Sequence, residues 1–465
     1  MNENSPIFIN NCINMITSTG KDNSFYDRQN ERISNKNINI INEQELLNQM
    51  YLTNPDDEIQ REEIYEKIKS FYSEKSILNY PDFDQVINNI FYMMMVGSNS
   101  SIIFGLKCFL AIYCQNTYSF EYKFAESIIV SIIDHLSSDD QLIIQYTLQI
   151  IAKISGLSKK FAKLVYKHIK IYNLAQIIQH EAFSDDVKDK ALSILSNYCL
   201  KFCTIPVELI DIVCQIAIFI FQNSQIGNLH QSIIYSCSLI AEKVSNFPDF
   251  FLKYSLFQPL NEILIRAHSA HTRSYILKIA HNLYKNPMNL DKIDINIVYG
   301  LMKHSIAAIQ IAAIQCISEV IRSNKEIADT LIKKDIFSII SSILEIGSHK
   351  SKLCCIELLF LLYQTNPVEM TQTFIKNGYI ETLIYMIQVT SGTSKSLKII
   401  LMTLTEINRT MIRIGKGKDF EEIFENAGAP DQLFELIDLD NDDDNNVEYN
   451  NVSNLIKTLL SEIES

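Results

Sequence analysis

The sequence predicts an all-α protein built from helical repeats, and three observations support this fold class. Gly accounts for 12 and Pro for 9 of the 465 residues, which favours long helices over hairpin-rich sheets. From about Gln44 onward, apolar residues recur at three- and four-residue spacing, as on one face of a helix. The chain also exceeds the usual size of one globular core, and a repeat array accommodates such length by growing along one axis.

Short polar clusters interrupt the helical pattern at intervals of roughly 40 residues, the period of HEAT and armadillo arrays. Three of these clusters are Ser137–Asp140, Ser184–Asp186 and Gly347–His349. The sequence therefore predicts an armadillo/HEAT-type right-handed superhelical solenoid of about nine repeats. Stacked repeats of this kind form a continuous groove that can hold an extended partner.

The repeat unit is visible in three segments, each with an apolar residue, a turn and an amphipathic helix. They are Leu331–Leu344, Phe374–Ile387 and Phe424–Ile437. We expect Gly378 and Gly428 to turn the chain between two helices, with Asp335 near the equivalent position. A further helix lined with small and branched apolar residues follows each unit, as in Asp189–Leu200 and Ser305–Arg322.

The two ends of the chain differ in character. Residues 1–43 are rich in Asn, Ile and Ser without sustained periodicity, so we expect a mostly disordered segment followed by a solenoid over 44–465. The N-terminus lacks the features of a signal peptide. The most apolar run, Ile212–Phe221, is too short to span a bilayer as a helix. These features predict a soluble, intracellular protein.

The formal net charge of −13 argues against nucleic acid and anionic membranes as partners, because both repel an acidic protein. It favours basic protein or peptide partners. Most of the ten cysteines fall inside apolar helical runs, where a reduced thiol packs as a small hydrophobic group. This distribution indicates a reducing compartment.

No sequence motif points to an enzyme, a cofactor or a metal site. A Walker loop, a nucleophile elbow, a His-Glu-x-x-His and a dinucleotide fingerprint are all missing, so we predict no catalytic residues. The acidic run Asp438–Asp444 resembles a calcium loop but lacks its central Gly and terminal Glu, which favours a solvated loop between helices.

Groups of His and Cys also fall short of a metal site. They are His268, His271 and His281, the pair Cys199 and Cys203, and the pair Cys354 and Cys355. The first two histidines have a spacing that could share a helix face, but no Cys or carboxylate completes a zinc set. The first two cysteines lie four apart on a predicted helix, and neither pair has zinc-ribbon spacing. Packing roles are therefore expected.

Three segments, in order along the chain, resemble parts of importin-alpha, the nuclear-import adaptor family. Gly20–Arg32, which begins Gly-Lys-Asp, resembles the importin-beta-binding segment of the family. Leu46–Gln60, with its Asn-Pro turn, resembles the first repeat, and Phe420–Leu433 resembles the final repeat, where the family docks its export receptor. The resemblance implies an adaptor found in cytoplasm and nucleus.

In importin-alpha, a Trp and an Asn four residues apart on each third helix hold the localisation peptide, by stacking on basic stems and by pairing with the peptide backbone. Tracing these positions through the sequence gives eight pairs, 37 to 46 residues apart. They are Lys107 and Ala111, Gln149 and Lys153, Ser193 and Asn197, Tyr235 and Leu239, Lys278 and Asn282, Gln315 and Glu319, Ile356 and Phe360, and Met402 and Glu406. The chain has no Trp, and two Asn remain.

The resemblance implies two sets of partner-binding residues. The groove candidates are Asn197, Tyr235, Asn282, Gln315, Glu319 and Glu406, and the candidates for an importin-beta-type receptor are Lys21, Arg28 and Arg32. Lys107 and Lys153 would repel a basic peptide at the N-terminal end of the groove. The sequence thus predicts a transport adaptor with altered cargo choice. The alternative is a general armadillo scaffold in cytoskeletal or signalling assembly, without a transport role.

Overall fold

The computed structural model describes residues 57–73, 90–95, 97–113, 126–223, 225–390, 395–440 and 447–463, together with Gln49. Every regular element in these ranges is helical. The predicted all-α class is therefore confirmed. The N-terminal segment 1–43, with the receptor candidates Lys21, Arg28 and Arg32, lies outside the described residues.

The chain divides into two compact units, Met1–Ile263 and Leu264–Ser465. Unit 1 contains α1 (Glu58–Ser73), α2 (Asn99–Tyr113), α3 (Glu126–Asp134), α4 (Gln141–Leu157), α5 (Lys159–His168), α6 (Ile171–Gln179), α7 (Asp185–Lys201), α8 (Val207–Asn223), α9 (Asn228–Lys243) and α10 (Phe247–Lys253). Helix α11 (Phe257–Arg266) spans the boundary.

Unit 2 contains α12 (Ala270–Tyr284), α13 (Ile295–Leu301), α14 (Ala307–Ser323), α15 (Glu326–Lys333), α16 (Ile336–Ile346), α17 (His349–Tyr363), α18 (Pro367–Lys376), α19 (Tyr379–Val389), α20 (Lys395–Arg413), α21 (Gly417–Asn426), α22 (Ala429–Asp440) and α23 (Val447–Ile463). From α15 onward the helices come in threes, two short and one long. This is the armadillo pattern that the sequence predicts.

The turn between the two short helices requires a left-handed backbone in each of these repeats. Gly378 and Gly428 have φ of +67° and +68°, and Asp335 has φ of +62°. Glycine adopts this region without a steric cost, and Asp is among the few other residues that tolerate it. The three turn positions predicted from the sequence are therefore confirmed.

The polar clusters that interrupt the pattern mark helix starts. The Asp140 carboxylate accepts from the amides of Leu142 and Ile143 at the start of α4. Ser184 and Ser348 likewise cap α7 and α17 through their hydroxyl oxygens. Each cap satisfies backbone donors that the first helical turn cannot pair.

One set of helices in each unit packs side by side, each against the next. We call these the row helices: α1, α2, α4, α7 and α9 in unit 1, and α12, α14, α17, α20 and α23 in unit 2. Their buried positions include complete aromatic side chains such as Tyr198, Tyr284 and Tyr363. A repeat cannot bury its apolar face alone, so this stacking is the source of each unit's stability.

Two local predictions from the sequence are wrong. Cys203 does not share a helix with Cys199, because α7 ends at Lys201 and Cys203 is exposed in the following turn. The Lys243 ammonium caps this end of α7. It donates hydrogen bonds to the carbonyls of Cys199, Leu200 and Phe202 at 2.6–3.1 Å.

His268 precedes the first residue of α12, so it shares no helix face with His271. Within the described ranges, no three His, Cys, Asp or Glu side chains come together as a metal site would need. Of the acidic run, Asp438 and Asp440 end α22, and residues 441–446 lie outside the described part. A search of the described helices finds none long and apolar enough to cross a membrane.

Candidate protein-binding surface

The eight traced residue pairs fall on eight different row helices, four in each unit. They occupy α2, α4, α7 and α9 in unit 1 and α12, α14, α17 and α20 in unit 2. Repeat spacing read from the sequence therefore places equivalent positions on consecutive helices. Their exposure varies, from Lys153 and Met402, which face solvent, to Ala111, Leu239 and Ile356, which are buried.

In unit 1, Lys107 lies between the neighbouring row helices rather than projecting freely. Its Nζ is 2.8 Å from Glu62 on α1. The same ammonium lies 5.5 Å from the ring centroid of Tyr65 on α1 and 6.0 Å from that of Tyr146 on α4. The charge that was expected to repel a basic peptide is thus partly satisfied by one carboxylate and two aromatic faces.

Asn197 uses its amide to join two row helices. Its Nδ2 donates to the carbonyl of Ala152 at 2.7 Å and to the hydroxyl of Ser155 at 3.0 Å, both on α4. Gly156 makes room for this contact, since a Cβ there would approach the Asn197 nitrogen to 3.3 Å. Tyr235, the next candidate, is half-buried on α9.

In unit 2, Asn282 makes its hydrogen bonds with one residue of α12 and with Lys285, which directly follows that helix. Its Nδ2 donates to the carbonyl of Lys278 at 3.0 Å, and its Oδ1 accepts from Lys285 at 2.8 Å. Gln315 is half-buried on α14. Both Asn side chains that remain from the family pattern are therefore engaged inside the chain.

Glu319 belongs to a chain of charges that crosses three row helices. It is 8 % exposed and forms an ion pair with Arg322 on the same helix, α14. Arg322 also donates to Glu357 of α17 at 3.0 Å. Glu357 in turn accepts from Lys395 of α20 at 3.3 Å. We call these four residues the unit 2 charge chain.

Glu406 belongs to a second group of charges between α20 and α23. Arg409 donates to Glu406 at 3.0 Å and, through two of its nitrogens, to Glu462 at 2.6–3.2 Å. This two-pronged arginine–carboxylate geometry is the strong form of ion pair. The two carboxylates among the groove candidates are therefore already paired with arginines.

Arg322 and Arg409, the partners of the two candidate glutamates, were not predicted from the sequence. Each follows its glutamate by three positions, a spacing at which helical side chains are neighbours. That spacing was the available signal. Contacts with Glu357 and Glu462 depend on how the helices pack and could not be found that way.

Comparison with known proteins adds evidence on the fold alone. No family model and no curated protein matches the sequence. A crystal structure of an engineered protein matches with a TM-score of 0.63 and 13% identity over 90% of this chain and 99% of its own. A designed armadillo repeat protein, and another in complex with the peptide (KR)4, each match half of the chain at 13% and 12% identity, with TM-scores of 0.44. The chain is an all-α protein with an armadillo-like repeat fold.

Proposed function

We propose that this chain is a protein-binding scaffold without enzymatic activity, and that its row helices bind an extended polypeptide segment. The side-by-side packing of the row helices is the observation that carries the proposal. It repeats equivalent side-chain positions on neighbouring helices within each unit. An extended segment presents polar groups at regular intervals and can pair with such a surface at several points.

A more specific role as an importin-alpha-like transport adaptor is supported by the order of three sequence segments. Gly20–Arg32, Leu46–Gln60 and Phe420–Leu433 follow the order of the receptor-binding segment, first repeat and last repeat of that family. On this proposal the protein moves between cytoplasm and nucleus and binds an importin-beta-type receptor and an export receptor. A scaffold in cytoskeletal or signalling assembly is the second candidate, favoured by the engagement of Asn197 and Asn282 inside the chain.

The experiment that separates the two roles is affinity purification of the full chain from its own cell extract at low salt. An adaptor recovers an importin-beta-type receptor or an export receptor. Recovery of neither receptor rejects the transport role, whereas a different, reproducible protein partner supports the scaffold.

A second chain with Lys21, Arg28 and Arg32 all changed to Ser provides the matched comparison. An adaptor loses its import receptor and its nuclear accumulation, and keeps partners that bind the row helices. If receptor capture is unchanged by the triple substitution, the N-terminal segment is not the receptor-binding element.

A further inference from the structure

Helix α5 carries a positive charge that the composition of the whole chain conceals. Residues 141–180 contain six lysines and no Asp or Glu, although the complete chain has a net charge of −13. Four of these lysines lie within α5, and a fifth, Lys170, lies two residues after its end. This local reversal of charge is the starting point for a second interaction surface, separate from the row helices.

The four lysines of α5 share its solvent side because its other side is buried. Phe161, Ala162 and Val165 face the core and are at most 5 % exposed, and α5 packs against α3, α4 and α7. The exposed set, which we call the α5 lysine face, comprises Lys159, Lys160, Lys163 and Lys167 on α5 and Lys170 in the short link before α6. At a rise of about 1.5 Å per residue, its helical part from Lys159 to Lys167 extends over roughly 12 Å.

Most of this charge has no acidic partner within the chain. Lys167 pairs with Glu126 at 2.8 Å, and the ring of His168 meets the same carboxylate. In the described part of the chain, Lys160, Lys163 and Lys170 make no ion pair. Three ammonium groups, two on α5 and one in the link that follows it, are thus left for a partner.

We propose that the α5 lysine face docks an acidic segment of a partner protein, rich in Asp and Glu. An extended chain of about four residues matches the length of its helical part. Because the apolar side of α5 is buried, recognition depends on charge and is weak, fast and sensitive to salt.

Other anionic partners fit this face less well. A membrane-bound helix inserts an apolar face among the lipids, and the apolar face of α5 is already used in the core. A nucleic acid longer than the face would extend over the rest of an acidic chain, which repels it. A short acidic peptide segment avoids both costs.

Fluorescence anisotropy of labelled octaglutamate with the full chain tests the proposal, at about 50 mM and about 150 mM salt. The test variant combines Lys160→Glu, Lys163→Glu and Lys170→Glu, three exposed positions without ion pairs, so the fold should tolerate the change. We expect saturable binding at the lower salt that weakens by about tenfold or more in this variant and is weaker at the higher salt.

A matched control changes three exposed lysines of unit 2, Lys303, Lys325 and Lys416, to Glu, which alters the net charge by the same amount. We expect its affinity to stay within about twofold of the original chain. Equal weakening in the control, or no binding at the lower salt, overturns the proposal. So does tighter α5-dependent binding of phosphatidylserine vesicles or of an oligothymidylate, since either would assign the face to another class of partner.

Discussion

At the scale of single residues, Lys159 sets the chemistry of Cys203. Its Nζ lies 3.0 Å from the exposed Sγ, and this hydrogen bond together with the ammonium charge lowers the pKa of the Cys203 thiol. A lowered pKa places more thiolate at neutral pH, and the thiolate is the reactive form. By contrast, burial raises the pKa of Cys199 to about 12.

We therefore expect Cys203 to be alkylated several-fold faster than Cys199 in the folded chain, and Lys159→Ala to move the pH midpoint of Cys203 alkylation upward. Residue-resolved mass spectrometry after a short pulse of iodoacetamide measures both. Lys153→Ala removes another exposed lysine and serves as the control. An unchanged midpoint in Lys159→Ala would show that the contact does not control the thiol.

A second residue-scale prediction concerns acid stability and His230. Its side chain is buried and stacks on Phe221 at 5.6 Å between ring centroids, and none of the described residues forms a hydrogen bond with its Nδ1. Burial lowers the pKa of His230 below its usual 6.5. The unfolded chain then binds the proton more readily, so the stability from the neutral ring is complete above about pH 6.5 and is lost as the pH falls below it.

His230→Phe retains the ring stack and removes the titrating group. We expect its drop in Tm between about pH 7 and pH 5 to be smaller than that of the original chain. The exposed His268→Asn variant should show the original drop. Equal drops in all three proteins would mean that His230 is not a source of the acid sensitivity.

At the scale of helices, the unit 2 charge chain predicts unequal costs for its members. Arg322→Met leaves the carboxylate of Glu319, which is 8 % exposed, without its counter-ion, at a cost of about 1–3 kcal/mol in unfolding free energy. Lys395→Met removes a 70 % exposed partner and should cost at most about 1 kcal/mol. Urea titrations compare the two, and adding Glu319→Gln to Arg322→Met should restore part of the loss.

The same ion pairs lead to a prediction about basic peptides. Because the chain has no Trp, each lost stacking contact weakens the binding of a Lys-rich localisation peptide by about 0.5–2 kcal/mol. Glu319 and Glu406 are also already paired with arginines. We expect a Kd in the high micromolar range or weaker, with tighter binding in Arg409→Gln, which releases Glu406. Anisotropy with a labelled peptide measures this. A sub-micromolar Kd that disappears in Asn197→Ala would contradict it.

Local rules in the sequence account for much of the helical architecture. Caps such as Ser184 and Ser348, and turns such as Asp335 and Gly378, act within a few residues, so the pattern alone locates them. The end of α7 was missed because Lys243, which caps it, lies more than forty residues away along the chain. The partners of Asn197 were missed for the same reason.

At the scale of the whole molecule, net charge is a poor guide to partners because the charge is segregated. Residues 417–465 hold fourteen acidic and two basic residues, which accounts for nearly all of the −13. Every charged residue among residues 141–180 is a lysine. With a Debye length of about 8 Å at physiological salt, each region presents its own local field to a partner. On the proposals above, basic and acidic partner proteins therefore bind at different places on the chain.

Stability in a repeat protein is also local, because each row helix contacts mainly its neighbours in the same unit. Lys243→Met removes the ammonium that caps α7 in unit 1, at a cost of about 1 kcal/mol. Since that cost falls on contacts between α7 and α9, we expect faster amide exchange there and an unchanged pattern in α17 and α20.

Arg322→Met should produce the reverse pattern, with faster exchange in unit 2. Hydrogen exchange with mass spectrometry resolves both variants, and Lys153→Met controls for loss of a lysine. Faster exchange throughout the chain in either variant would show that the two units unfold as one cooperative system.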